Sequence, residues 1–117
     1  MIEGTWVPIA AEFGGERLPE ERLRAMWLVL KADSYEAFAG GIVDRGTLQL
    51  DASHCPHAID ITGTEGPNKG KTILAVCELS GDTLRICYAQ NDGGRPPALC
   101  TLPGTGMFLV TYRRERR

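Results

Sequence analysis

The sequence predicts an all-β fold, a sandwich or a barrel. Three observations carry that expectation. Gly, Pro, Asn and Asp punctuate the 117 residues at short, even intervals. Between them lie short runs rich in Val, Ile, Leu, Thr and aromatic residues, the pattern of strands joined by tight turns. One pair of runs, on either side of Gly81-Asp82, has both the alternation and the turn of a β-hairpin. No repeat, low-complexity stretch or linker divides the chain, so residues 1–117 are expected to form one domain.

Eight runs read as strands, near residues 4–13, 25–32, 34–39, 42–51, 57–63, 71–79, 83–90 and 106–114. One segment breaks the pattern. Leu18-Pro19-Glu20-Glu21-Arg22-Leu23-Arg24 has Pro at the first helical position and acids in the first turn, which suits a helix N-terminus. A helix over 19–24 has one or two turns and must lean on the rest of the fold to exist.

The hairpin TILAVCELSGDTLRICYAQ fixes its own register. Gly81-Asp82 as a two-residue loop fits a type II′ turn and pairs Ser80 with Thr83, Leu79 with Leu84, Glu78 with Arg85, and Cys77 with Ile86. Opposite charges then face each other on one side. Ile73, Ala75, Cys77, Leu79, Leu84, Ile86 and Tyr88 share the other side, assigned to the core. Cys77 points in and Cys87 points out, so these two cannot form a disulfide. Pairings that involve Cys55 and Cys100 stay open.

Composition excludes some functions. Net charge is −2, from 13 basic and 15 acidic residues, without the basic footprint of a nucleic-acid-binding domain. The basic run Arg113, Arg114, Arg116, Arg117 reads as a solvated strand end. No apolar run approaches the ~18 residues of a membrane span. Met1-Ile2-Glu3 does not open a signal peptide, so the chain as it stands is expected in the cytoplasm. Removal of a leader would make it a secreted protein instead.

Gly70-Lys71-Thr72 matches the tail of a phosphate-binding P-loop, G-x-x-x-x-G-K-[ST]. The match stops there. Five residues before Gly70 stands Glu65, and Pro67 removes an amide donor from the loop. The residues after Thr72 read as a strand rather than a helix. The segment is therefore a Gly/Pro/Asn connection between two strands.

His54-Cys55-Pro56-His57 gathers zinc-type ligands, but structural zinc sites draw two ligands from each of two separated places. A surface loop is the expected reading, with no metal and no cofactor. Cys55 with His57 is the one local nucleophile–base pair, and no third member orients it. Asp44, Asp51, Asp60 and Asp82 are placed at strand ends and turns, where Asp bonds to backbone. Asp60, between two isoleucines, is expected to face solvent. No catalytic residue is assigned, and an enzyme is not expected.

Gly4-Thr5-Trp6 opens the first strand, and Tyr112-Arg113-Arg114 ends the last. The pair resembles the lipocalin arrangement, in which a G-x-W tryptophan closes one barrel end and an arginine of the last strand packs across it. Parity puts Arg114 on the face of Phe108, Val110 and Tyr112, so the resemblance implies Trp6 and Arg114 as the closing residues.

A wider resemblance covers nearly the whole chain. Gly4-Thr5-Trp6, Ala58-Ile59-Asp60-Ile61-Thr62, Gly66-Pro67-Asn68-Lys69-Gly70-Lys71-Thr72, Glu78-Leu79-Ser80-Gly81-Asp82-Thr83-Leu84 with Ile86-Cys87, and Arg95-Pro96 occur in that order. Together they resemble a lipocalin-like domain family abundant in planctomycete bacteria. The resemblance implies a small eight-stranded antiparallel up-and-down barrel of lipocalin-like (calycin) type, with a short helix across one mouth. It implies no defined activity.

An eight-stranded barrel is filled by side chains or holds one small ligand. The first expectation is a non-enzymatic barrel that binds a small, mostly apolar molecule, lined by Trp27, Ile86, Tyr88, Phe108 and Tyr112. The alternative is a filled barrel acting as a structural or protein-interaction module, as a monomer or a homodimer. Cavity volume separates them, with ~300 Å³ or more favouring a ligand.

Overall fold

A computed structural model of the chain describes residues 2–54, 56–89, 94–99, 101 and 106–115. Eight strands close into one antiparallel barrel: β1 (Gly4–Phe13), β3 (Met26–Leu30), β4 (Ser34–Ala39), β5 (Ile42–Asp51), β6 (His57–Glu65), β7 (Thr72–Ser80), β8 (Thr83–Ala89) and β9 (Met107–Arg114). Neighbours in sequence are neighbours in the sheet, and β1 pairs with β9 to close it. The fold is thus the eight-stranded up-and-down barrel, and the sandwich is excluded. A two-residue strand, β2 (Glu16–Arg17), adds a short hairpin to the end of β1. Closure leaves no long strand edge to template aggregation.

The expected helix forms as α1 (Glu20–Leu23), with Pro19 at the N-cap rather than at the first helical position. Its single turn persists because Leu23 is buried in the barrel core. No helix among the described residues is long and apolar enough to cross a membrane.

The β7–β8 register is the one the turn demands: Ser80↔Thr83, Leu79↔Leu84, Glu78↔Arg85 and Cys77↔Ile86. Gly81 has φ 59°, and Asp82 does not share the positive sign, which fits a type II′ turn. Ala75, Cys77, Leu84 and Ile86 are buried inside, with Ile73, Leu79 and Tyr88 packed against them. β1 carries a bulge between Pro8 and Ala10, which turns Ile9 out to solvent.

The outer face holds a second apolar cluster. Val76 and Cys87 are fully buried although they point away from the interior, and Leu109 joins them. The segment 94–99 lies across them: Pro96 is fully buried, and Leu99 packs on the cluster. Arg95 fastens this strap. It donates to Asp60 Oδ1 at 2.5 Å, to the Ala75 carbonyl at 2.8 Å and to the Ile59 carbonyl at 3.3 Å. Asp60 therefore faces outward as parity requires, but it meets an arginine rather than open solvent.

Trp6 and Arg114 are paired across β1 and β9. Trp6 is fully buried, and its Nε1–H donates to the Ile2 carbonyl at 2.9 Å. Arg114 lies over the ring, with Cζ 4.3 Å from its centre. The terminal run is thus no uniform solvated end: Arg113 is exposed and Arg114 packs inward. Arg116 and Arg117 lie outside the described residues.

Candidate functional site

The end opposite Trp6 is where β1 finishes and β3 begins, with α1 on the connection between them. A cavity of about 200 Å³ reaches from this end into the barrel. Its deep wall is aliphatic: Leu28, Leu30, Leu48, Ile59, Ile61 and Ile86. These residues alternate along their strands with outward-facing neighbours, so the β-pattern itself delivers them to one interior. An open hollow of about 590 Å³, lined by Phe13, Leu18 and Arg22, adjoins it and shares Met26, Ala39 and Phe108 with it.

Of the five expected lining residues, Ile86, Tyr88, Phe108 and Tyr112 hold inward positions on β8 and β9 and line the cavity. Trp27 also borders it, but from the outward side. Leu28 and Leu30 occupy the inward positions of β3, while Trp27 is 42% exposed and stacks on Phe38, its centroid 4.6 Å away. The run Met26-Trp27-Leu28-Val29-Leu30 is apolar on both faces, so alternation alone does not select the inner one.

Two polar groupings interrupt the apolar wall. Tyr88 and Tyr112 place their hydroxyls 2.9 Å apart. Burial pushes Tyr112 up to about 12, and burial together with Tyr112 holds Tyr88 well above its ordinary value. Both remain neutral phenols near neutral pH. One hydroxyl donates to the other, and the acceptor keeps its own proton to offer elsewhere.

The second grouping is Asp44, Tyr35 and Asn68. Asp44 lies on β5 opposite Ala37, with its side chain inward. It is not the strand-end or turn carboxylate that sequence alone suggested. Its Oδ2 accepts from Tyr35 Oη at 3.2 Å and from Asn68 Nδ2 at 2.8 Å, and its Oδ1 accepts from the Asn68 amide at 3.4 Å. Burial, and then the adjacent Asp44 charge, holds Tyr35 far above the ordinary tyrosine value, so it stays a donor.

Glycines bring these groups together. Gly46 and Gly63 face each other across β5 and β6. A Cβ at Gly46 would come within 2.7 Å of the Tyr35 ring. A Cβ at Gly63 would stand 2.1 Å from the Asn68 carbonyl oxygen, so only glycine lets the 66–70 loop fold back and aim Asn68 at Asp44. The P-loop look-alike is therefore a strap that places an amide over a carboxylate, and Thr72 behind it opens strand β7.

The histidine cluster sits at the opposite end. His54 Nδ1 lies 2.8 Å from the Pro56 carbonyl, and both histidines are exposed. Cys55 and Cys100 lie outside the described residues, and no group of three metal-type ligands converges among those described. Cys77 is buried in the core, where burial pushes its thiol up to about 11. A thiol so placed packs as a small hydrophobe.

Fold and site together define a small closed β-barrel with a mostly apolar internal cavity and a carboxylate in its wall. Comparison with family models, with curated proteins and with solved structures returned no match, so the functional reading rests on this geometry.

Proposed function

We propose that the protein is a non-enzymatic, lipocalin-like barrel that binds one small, mostly apolar molecule. The carrying observation is the interior cavity of about 200 Å³, walled by aliphatic and aromatic side chains. It falls short of the ~300 Å³ at which drug-sized pockets begin, yet it exceeds the ~150 Å³ apolar cavity that suffices for benzene. The ligand is then the size of a single substituted ring, with the adjoining hollow as its entrance. Among the described residues the cavity lining holds no serine, cysteine, histidine or lysine, which supports binding without turnover.

Toluene titrated into labelled protein is expected to shift the methyl resonances of Leu48, Ile59 and Ile86 and to saturate at one equivalent. Ala37→Leu, which fills the inward position opposite Asp44, is expected to abolish the shifts and leave the protein folded. Shifts confined to the outer surface would overturn the reading. They would favour the alternative of an interaction module, which the exposed Trp27 and its stacked partner Phe38 support. Native mass spectrometry of gently purified protein then identifies any ligand carried from the cell.

A further inference from the structure

The geometry points to a cationic ligand: a primary amine on a small apolar body, its ammonium bound by Asp44. This rests on the binding-barrel reading and narrows it. An ionised carboxylate accepts at roughly four lone-pair positions. Tyr35 and Asn68 supply three donors, and all three are neutral. Among the described residues Asp44 forms no ion pair. Its sequence neighbour Arg45 points to the outer face, where Glu36 and Glu65 hold it at 2.6 and 3.1 Å.

A carboxylate on the wall of an apolar cavity is costly to leave without a counter-charge. The neutral donors orient it and leave its charge uncompensated. An ammonium brings the missing charge and fills the open acceptor position, while its apolar body takes the Leu48, Ile59 and Ile86 wall. The same charge repels a carboxylate ligand, so fatty and aromatic acids are excluded. The Tyr88–Tyr112 pair stays neutral and adds no anion to compete with Asp44 for the ammonium. Arg22, in the outer hollow, is the one cation lining that approach among the described residues.

Three probes of similar shape and different charge test this: benzylamine, toluene and benzoate, each titrated near neutral pH against wild-type protein and Asp44→Asn, with the cavity methyls as readout. Wild-type protein is expected to bind benzylamine ~10-fold or more tighter than toluene, the scale of a charge-assisted hydrogen bond, and to reject benzoate. Asp44→Asn is expected to erase the preference and keep toluene binding. Equal affinity for benzylamine and toluene in wild type overturns the inference and leaves the binding barrel standing. A preference that survives in Asp44→Asn overturns it as well. If no probe reaches the cavity methyls, the binding-barrel reading falls and takes the inference with it. The wild-type comparison decides the matter even where the variant does not fold.

Discussion

The guanidinium of Arg114 lies 4.3 Å from the centre of the Trp6 ring, so residues at opposite ends of the sequence close one end of the barrel. Arg114 also donates from Nε to Asp82 Oδ1 at 3.3 Å and from Nη1 to the Glu3 carbonyl. It thereby joins the N-terminus, the β7–β8 turn and the last strand. A partly buried cation–π contact contributes about 1 kcal/mol, and the hydrogen bonds add a similar amount. Arg114→Ala is expected to lower stability by about 1–2 kcal/mol in urea denaturation. Arg114→Lys should recover only part of this, because an ammonium cannot both stack and bond as the planar group does. A neutral Arg114→Ala would show that Trp6 burial alone closes the end.

That contact was implied by the lipocalin resemblance, with parity from Tyr112 selecting Arg114 over Arg113. The eight strands and the β7–β8 register were legible in the residues themselves, from strand-and-turn spacing, a Gly-first turn and a charge pair. The inner face of β3 was not legible, because Met26-Trp27-Leu28-Val29-Leu30 is apolar on both sides. Neither was the outer burial of Val76 and Cys87, which depends on a strap more than six residues further along the chain. Asp44 was missed because an inward carboxylate contradicts its strand's pattern. The signal that marks it lies elsewhere, in the Gly66-Pro67-Asn68 turn that carries its amide partner.

The 66–70 loop makes glycine positions unequal. Gly63→Ala would drive a Cβ to 2.1 Å from the Asn68 carbonyl oxygen and 2.4 Å from its carbon, both backbone atoms, so the loop must move. Gly70 has φ 81° but open space around it, so Gly70→Ala meets only backbone strain, about 1 kcal/mol. Gly63→Ala is expected to cost more, about 2 kcal/mol or above, and to release Asn68 from Asp44. Denaturation midpoints of the two variants check the order. The reverse order would mean that the loop yields easily and does not orient Asp44.

Arg95 holds the strap that covers Cys87. Arg95→Ala removes the bond to Asp60 and both carbonyl contacts. In a background with serine at positions 55 and 100, two thiols remain, one beneath the strap and one inside the barrel. Arg95→Ala is expected to speed thiol-reagent labelling of Cys87 by ~10-fold or more while Cys77 stays slow, since local opening uncovers only the outer cluster. Equal acceleration at both would indicate global loosening, and no change would show that Pro96, Leu99 and the Arg85–Leu99 hydrogen bond secure the strap without Arg95.

Cys77 gives the barrel an alkaline limit. Its thiol is 2% exposed and is pushed from an ordinary 9.0 up to about 11 by burial. Below pH 9 the thiol is protonated in folded and unfolded chains alike, and stability is unaffected. Between pH 9 and 11 the unfolded chain releases the proton while the folded barrel retains it, so rising pH favours unfolding. The slope for one such group approaches about 1.4 kcal/mol per pH unit, and it flattens once the folded thiol also ionises. Tyr112, raised from 10.0 to about 12, adds a second loss that begins about one unit later. Urea midpoints at pH 7, 9, 10 and 11 are expected to fall from pH 9 upward in wild-type protein. In Cys77→Ala they are expected to hold to about pH 10, even though that variant starts less stable at pH 7. An unchanged profile in Cys77→Ala would assign the alkaline loss to the raised tyrosines Tyr35, Tyr88 and Tyr112 instead.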